Sequence, residues 1–538
     1  MSSKSFLKGA AILAAAGIIV KIMGAFFRIP LGNMIGSEGM GYYQTSYPIY
    51  VALLTISTAG IPTAISKLVS EKNAVGDRYG AHRIFKVSFA LLFIIGIVTS
   101  AILFFGSGMI VKFMKNEGAR ASMVAIAPAL LFVPIMAAFR GYFQGLQDMV
   151  PTAISQIIEQ FGRTVVGFLL AYYLLNKLNK GLEIAAAGAS FGAAAGAITG
   201  TLMIILIYYM RRKKILKEIG LRPIQKQEPA GKILTRILYI AIPITIGAAI
   251  LPIMNMIDAT IVMRRLQAIG FSPDEANGLY GQLTGFAAPL INFPQMLTVG
   301  LAVSLVPAIS EASQRRDMKT VRSTVQMGTR IAVLIGLPAA MGLVILAKPI
   351  MILLFPLKPE SAIGAAGSLA ILGIGVIFLS LVQTFTGILQ GLGRPTVPVI
   401  NLFIGSIFKI LATYFLTGIP SLNVKGAAIG TVTAYAIAAI LNFFAVKRLT
   451  KTKFSVTNFV IKPVIAVSAM SISVLFVYTR FVDVFGNKLT TVVAIGVGAL
   501  IYGLMLLTTG GITKEDFEMI PGGRKMAKVL GMMGLLRK

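Results

Sequence analysis

The feature that most limits this chain is a recurrence of apolar runs about 20 residues long, the length a helix needs to cross a bilayer. Candidate spans fall near 6–29, 43–66, 86–111, 122–146, 151–176, 185–210, 234–262, 279–307, 324–347, 362–390, 397–418, 426–446, 458–479 and 489–509. A lipid-embedded segment must satisfy its own backbone polar groups, so these runs predict helices. The expected fold is all-α and polytopic, with 14 transmembrane helices. Pro48, Pro62, Pro289, Pro294 and Pro307 predict kinks or breaks in the second and eighth spans. The first run follows Lys4 and Lys8, as in a signal peptide. It continues through Lys21 to Arg28 with thirteen spans behind it, so it reads as a retained helix.

Composition agrees once two opposing numbers are reconciled. The 538 residues include 50 Lys and Arg against 19 Asp and Glu, a net charge of +31, yet 56% are hydrophobic. A charge of +31 suits a nucleic-acid binder. However, only 13% of residues are charged, roughly half the share of a soluble protein, which excludes that partner, and disorder with it. The basic residues instead set topology. With the N terminus in the cytoplasm, 31 of the 50 fall on inside segments and 12 on outside ones, the bias that orients helices. Both termini are then cytoplasmic. Trp is absent, so Tyr42-Tyr43, Tyr172-Tyr173 and Tyr208-Tyr209, near span ends, are expected to form the interfacial belt.

Several chemistries drop out. There is no Cys and one His, which removes disulfides, thiolate catalysis and Ser-His-Asp or zinc hydrolase sites. His82 reads as a solvated loop residue. No Walker A motif occurs, so no nucleotide motor is expected, and no cofactor beyond a coupling ion.

The chain also echoes itself. Gly141-Tyr-Phe-Gln144-Gly145 recurs as Gly387-Ile-Leu-Gln390-Gly391, 246 residues on. Ala64-Ile65-Ser66 recurs as Ala308-Ile309-Ser310 at offset 244, and Gly188 to Gly192 as Gly426 to Gly430 at 238. A six-span repeat crosses the membrane an even number of times, so it predicts two lobes related by an axis along the membrane normal. The expected layout is an N-terminal lobe at 1–210, a basic cytoplasmic linker at 211–233, a C-terminal lobe at 234–450, two further helices at 451–510 and a cytoplasmic tail at 511–538. Gly188, Gly192, Gly196 and Gly200 recur every fourth residue and predict a close-packing face.

Ionisable side chains inside spans are costly and mark function by default. Lys21 and Arg28 lie two turns apart on one face of the first span. Arg140 ends the fourth, either at a site or at the interface. Glu159 and Arg163, four apart in the fifth, can pair, as a structural or a functional unit. Lys409 lies within the eleventh. Arg330 and Lys462, near span ends, are expected to snorkel. A cavity lined by Lys21, Arg28, Arg140, Arg163 and Lys409 attracts an anion, and guanidinium forks suit phosphate oxygens. Asp258, with Asn255 three residues before it, either couples transport to Na⁺ or H⁺ or balances a cation; Glu159 is a second ion-coupling candidate.

The segments Lys21-Ile-Met-Gly-Ala-Phe-Phe-Arg28, Gly36-Ser-Glu-Gly39-Met-Gly41 and Gly60-Ile-Pro-Thr-Ala-Ile-Ser resemble the polysaccharide-transporter branch of the multidrug/oligosaccharidyl-lipid/polysaccharide exporter superfamily. Arg140-Gly-Tyr-Phe-Gln-Gly145 with Pro151-Thr-Ala-Ile-Ser-Gln156 is similar to its stage V sporulation protein B and lipid II flippase group. The resemblance implies a flippase, not an enzyme. Its substrate would be a lipid-linked oligosaccharide pyrophosphate, moved by alternating access between two lobes. It also implies a cavity role for Lys21 and Arg28. Two pseudo-symmetric lobes suit a working monomer among membrane lipids. The alternatives are a small-molecule (multidrug) exporter of the same superfamily and a membrane-embedded glycosyltransferase. The first needs acidic or aromatic cavity residues, the second catalytic carboxylates and a large outer loop.

Overall fold

The computed structural model describes residues 3–220 and 228–511, and among them there is no strand. Packing divides the chain between Gly281 and Gln282. The first unit holds α1 (Ser3–Thr58), α2 (Ile61–Ala74), α3 (Arg78–Met114), α4 (Arg120–Ile126), α5 (Ala129–Gly145), α6 (Val150–Tyr172), α7 (Leu182–Gly220), α8 (Ala230–Ala268) and α9 (Pro273–Gly281). The second holds α10 (Ala288–Gln314), α11 (Met318–Ile345), α12 (Ala347–Leu354), α13 (Pro359–Gly391), α14 (Thr396–Thr417), α15 (Lys425–Thr450) and α16 (Lys462–Thr508). Among the described residues, 11 helical stretches are long and apolar enough to cross a membrane. The chain is therefore a multi-pass membrane protein.

Two of the longest helices are broken by glycine. Gly36 in α1 has φ 69° and ψ −172°, and Gly486 in α16 has φ 72° and ψ 166°. A side chain is strongly disfavoured there, so glycine alone makes the break cheap. Elsewhere buried hydroxyls return to the helix. Ser88 Oγ donates to the Ile84 carbonyl at 2.7 Å and Thr329 Oγ1 to that of Val325 at 2.8 Å, which satisfies them without a partner helix.

Helix α8 packs within the first unit. Ile233, Ile237 and Ala241 join Ile65, Leu68, Phe85 and Phe139 in one core, and the Gly60 amide donates to Thr245 Oγ1 at 3.1 Å. Packing thus places its boundary after α9, whereas the repeat places it in the 211–233 linker, of which 221–227 lie outside the described residues. Sequence echo and packing report different things here: the first follows duplication, the second follows which faces touch.

The repeat itself is visible in the packing of α5 and α13. A Cβ on Gly141 would stand 2.9 Å from the Pro62 carbonyl oxygen, and one on Gly145 would stand 2.8 Å from that of Ser66. In the second unit Gly387 meets the Ala302 oxygen at 2.6 Å and Gly391 the Val306 oxygen at 2.9 Å. The partners are 240 residues apart. The Ala-Ile-Ser echo, at 244, is therefore one helical turn out of register. Close helix contact is set by which carbonyl a glycine rests on, not by side-chain identity. In the corrected register Ser70-Glu71 matches Ser310-Glu311. Asp77, which caps α3, also matches Asp317, which caps α11.

Two further expectations are corrected. His82 is not a solvated loop residue: it lies in the first turns of α3, 8% exposed, stacked on Tyr208 with 4° between the rings and edge-on to Tyr142. Tyr42 and Tyr43 are buried rather than interfacial, whereas Tyr172, Tyr173 and Tyr209 are exposed. Tyr42 donates to Asp274 at 3.0 Å, which ties α1 to α9. Lys462 Nζ donates to the Gly510 carbonyl at 3.0 Å, capping the end of α16.

Candidate functional site

Glycine spacing builds the site. In α7, Gly188, Gly192, Gly196 and Gly200 all face α6, as the four-residue period predicts. A Cβ at Gly192 would lie 2.5 Å from the Arg163 carbonyl oxygen, and one at Gly196 would lie 2.4 Å from that of Glu159. The α6 backbone is thus held against α7 at the two residues that carry charge.

Those charges meet a third. Arg140 of α5 donates from Nη2 to Glu159 Oε2 at 3.0 Å and from Nε to Ser155 Oγ at 2.9 Å. Ser155 Oγ itself donates a hydrogen bond to the Thr152 carbonyl at 2.9 Å, which leaves its lone pairs to accept from Arg140. Arg163 Nη2 stands 3.6 Å from Glu159 Oε1. The carboxylate is therefore shared by two guanidiniums, each of the three side chains being 15–17% exposed. Arg163 Nε is buried without a hydrogen-bond partner. Tyr50, Tyr47 and Tyr43 of α1 lie within electrostatic reach of Arg163, and Arg28 lies within reach of Tyr43. Gly24 faces Gln160 of α6, which brings the first stretch of α1 alongside. Two guanidiniums on one carboxylate leave a net positive charge in a mostly buried, tyrosine-lined environment, and Arg28 adds a second cation near Tyr43. Such a site favours a doubly charged anion.

The second unit carries a counterpart. Gly426 of α15 rests on Leu416 and Thr417, as Gly188 rests on Leu170 and Ala171. Gly430 faces the Lys409 carbonyl oxygen at 3.0 Å and Thr413, as Gly192 faces Arg163 and Gly167. Lys409 in α14 thus occupies the place of Arg163 in α6, 246 residues on, the offset that also relates Gly141 to Gly387. Glu159 is replaced by Gly405 and Arg140 by Thr386 at that offset. The second unit repeats the cation without the carboxylate.

The remaining candidates lie apart. Lys21 is exposed on α1, seven residues before the half-buried Arg28. Asp258 is half-buried on α8 and interacts electrostatically with Tyr280 of α9; Asn255 is exposed. Among the described residues no cluster of three or more Asp, Glu or His could hold a metal ion. Sequence reasoning anticipated the Glu159–Arg163 pair but not the link from Arg140 to Glu159, which has no sequence period to reveal it. The match of Lys409 with Arg163 was available from the 246 offset.

The chain matches the family described as polysaccharide biosynthesis protein over residues 6–313 and the MatE family over 283–415. Stage V sporulation protein B of Bacillus subtilis (strain 168) is 28% identical over 528 residues, which is 97% of this chain and 98% of that one. Lipid II flippase MurJ of the same organism is 29% identical over 462 residues, 83% of each. The structure of a lipid II flippase MurJ in an inward closed conformation covers 92% of this chain and 98% of its own, with a TM-score of 0.65 at 17% identity. That likeness shows a common fold. Since the first family match covers more than half of the sequence, the chain belongs to the polysaccharide biosynthesis protein family.

Proposed function

We propose that this protein is a flippase. Its substrate would be an undecaprenyl-pyrophosphate-linked cell-wall precursor, lipid II or a lipid-linked polysaccharide unit, moved across the bacterial cytoplasmic membrane by alternating access. The observation that carries the reading is the net-positive cluster of Arg140 and Arg163 around Glu159, with Arg28 near the adjoining Tyr43, in a fold shared with a lipid II flippase. A pyrophosphate is the anion that two or three guanidiniums hold best, since each can bind oxygens in a bidentate fork. Lys409 would serve as the matching cation of the second unit, and Lys21 would lie on the approach along α1. The chain moves its substrate without making or breaking its bonds.

The fourteen-span reading has support in the helix breaks. The 11 apolar stretches become thirteen when divided at Gly36 and Gly486. Helix α6, 23 residues long but carrying Gln156, Glu159, Gln160 and Arg163, is the fourteenth. An even count keeps both termini on the cytoplasmic side, where the positive charge is densest. Asp258 is the preferred seat for a coupling Na⁺ or H⁺, because Glu159 is already engaged by two guanidiniums. The MatE match over 283–415 favours a second reading, a small-molecule exporter, but a cationic drug would be repelled by the same arginines.

Complementation tests the proposal. A Gram-positive strain is depleted of its essential lipid II flippase and supplied with this chain. Growth should be rescued, and Arg28→Ala or Arg163→Ala should abolish rescue while the protein still reaches the membrane. Failure of the wild-type chain to rescue rejects lipid II as substrate. Rescue by both alanine variants rejects the anion site. Asp258→Asn should remove dependence on the ion gradient; unchanged transport would reject the coupling role.

A further inference from the structure

Two cavities in the second unit share a wall. One, of about 390 Å³, is polar and is lined by Gln326 and Arg330 of α11 and by Lys453 and Asn458 of the connection into α16. The other, of about 490 Å³, is apolar and runs over Phe378 of α13, Phe443 and Phe444 of α15, and Val460. Phe454, Ser455 and Phe459 line both.

The wall between them is built rather than loose. Helix α15 ends at Lys451 with φ 54°, which turns the chain back. Arg322 Nε then donates to the Thr450 carbonyl at 2.9 Å and Gln326 Nε2 to that of Lys453 at 2.6 Å. Phe454 packs tilted against Phe443 and edge-on to Phe459, with ring centroids 5.0 and 5.3 Å apart. The charged lining is all of one sign: Arg330 and Lys453 in the polar cavity, Lys447 in the groove, and no Asp or Glu in either. Phe444, Val456 and Val460 are 52–65% exposed, so the groove opens to the surroundings.

We propose that the joined cavities bind an anionic glycerophospholipid. Its phosphate would sit in the Arg330–Lys453 pocket, and one acyl chain would lie along the phenylalanine groove past Lys447. Bulk lipid covers any apolar membrane face without preference. Cations fixed at the head of a groove add a preference for a negative head group. The inference does not depend on what the protein transports.

The absence of Trp makes the test direct. Full-length protein carrying Val460→Trp has a single indole in the groove. It is placed in phosphatidylcholine nanodiscs with increasing brominated phosphatidylglycerol, or with brominated phosphatidylcholine as reference. Phosphatidylglycerol should quench at about fivefold lower mole fraction, the effect of one cation close to a charged head group. Lys453→Gln, at an exposed position where folding is not at risk, and Arg330→Gln should each erase that preference. Equal quenching by the two lipids overturns the proposal, and so does a preference that survives both substitutions. Displacement by undecaprenyl phosphate but not by unlabelled phosphatidylglycerol overturns it in favour of a prenyl carrier.

Discussion

At Glu159 one carboxylate accepts from Arg140 and stands beside Arg163, and the two cations cannot separate because α5 and α6 are both packed in place. Removing one member of a mostly buried charge group leaves the others uncompensated, at a cost of about 3 kcal/mol. Glu159→Gln should therefore lower the thermal unfolding midpoint of the detergent-solubilised protein. Arg140→Gln in that background should restore part of the loss, since the repulsion between guanidiniums then goes. An unchanged midpoint in the single variant would show that the cluster contributes nothing to folding. His82 shows what residue-level reading misses. A histidine among Arg78, Arg83 and Lys86 looks solvated, and only the Tyr142 and Tyr208 rings, 60 and 126 residues away, bury it.

Helices carry the glycine code. A run of glycine every fourth residue was legible in α7 because one face of one helix is a local property. Its consequence, the close approach of the α6 backbone, follows from the missing side chains. Gly196→Ala should disrupt the α6–α7 contact, because its methyl group would lie 2.4 Å from the Glu159 carbonyl oxygen. Gly247→Ala in α8 is the control, with no atom within 4 Å of the added carbon. It should leave folding intact or improve it, given the helix preference of alanine. Comparing the unfolding midpoints of the two variants checks this; equal midpoints would contradict the contact. The α10 register was less legible for the opposite reason. Ala-Ile-Ser is a matching string, but the carbonyl under Gly387 decides the packing, and a string search does not see carbonyls.

For the molecule as a whole, duplication reads as shared chemistry with one part removed. The fold class and the multi-pass character were legible because apolar run length is dictated by the bilayer. The offsets 240, 246 and 238 were only partly legible, since connections of different length separate corresponding helices. Across those offsets Arg163 returns as Lys409, while Glu159 returns as Gly405. A cation kept at both places while its carboxylate is kept at one argues that the positive charge serves something other than the Glu159 pair. Under the proposed flippase function the positive charge at Lys409 serves transport. Lys409→Arg should then preserve rescue of the flippase-depleted strain, because the charge remains. Lys409→Ala should weaken rescue while the protein still reaches the membrane. If Lys409→Ala rescues as well as wild type, the two positions share packing alone.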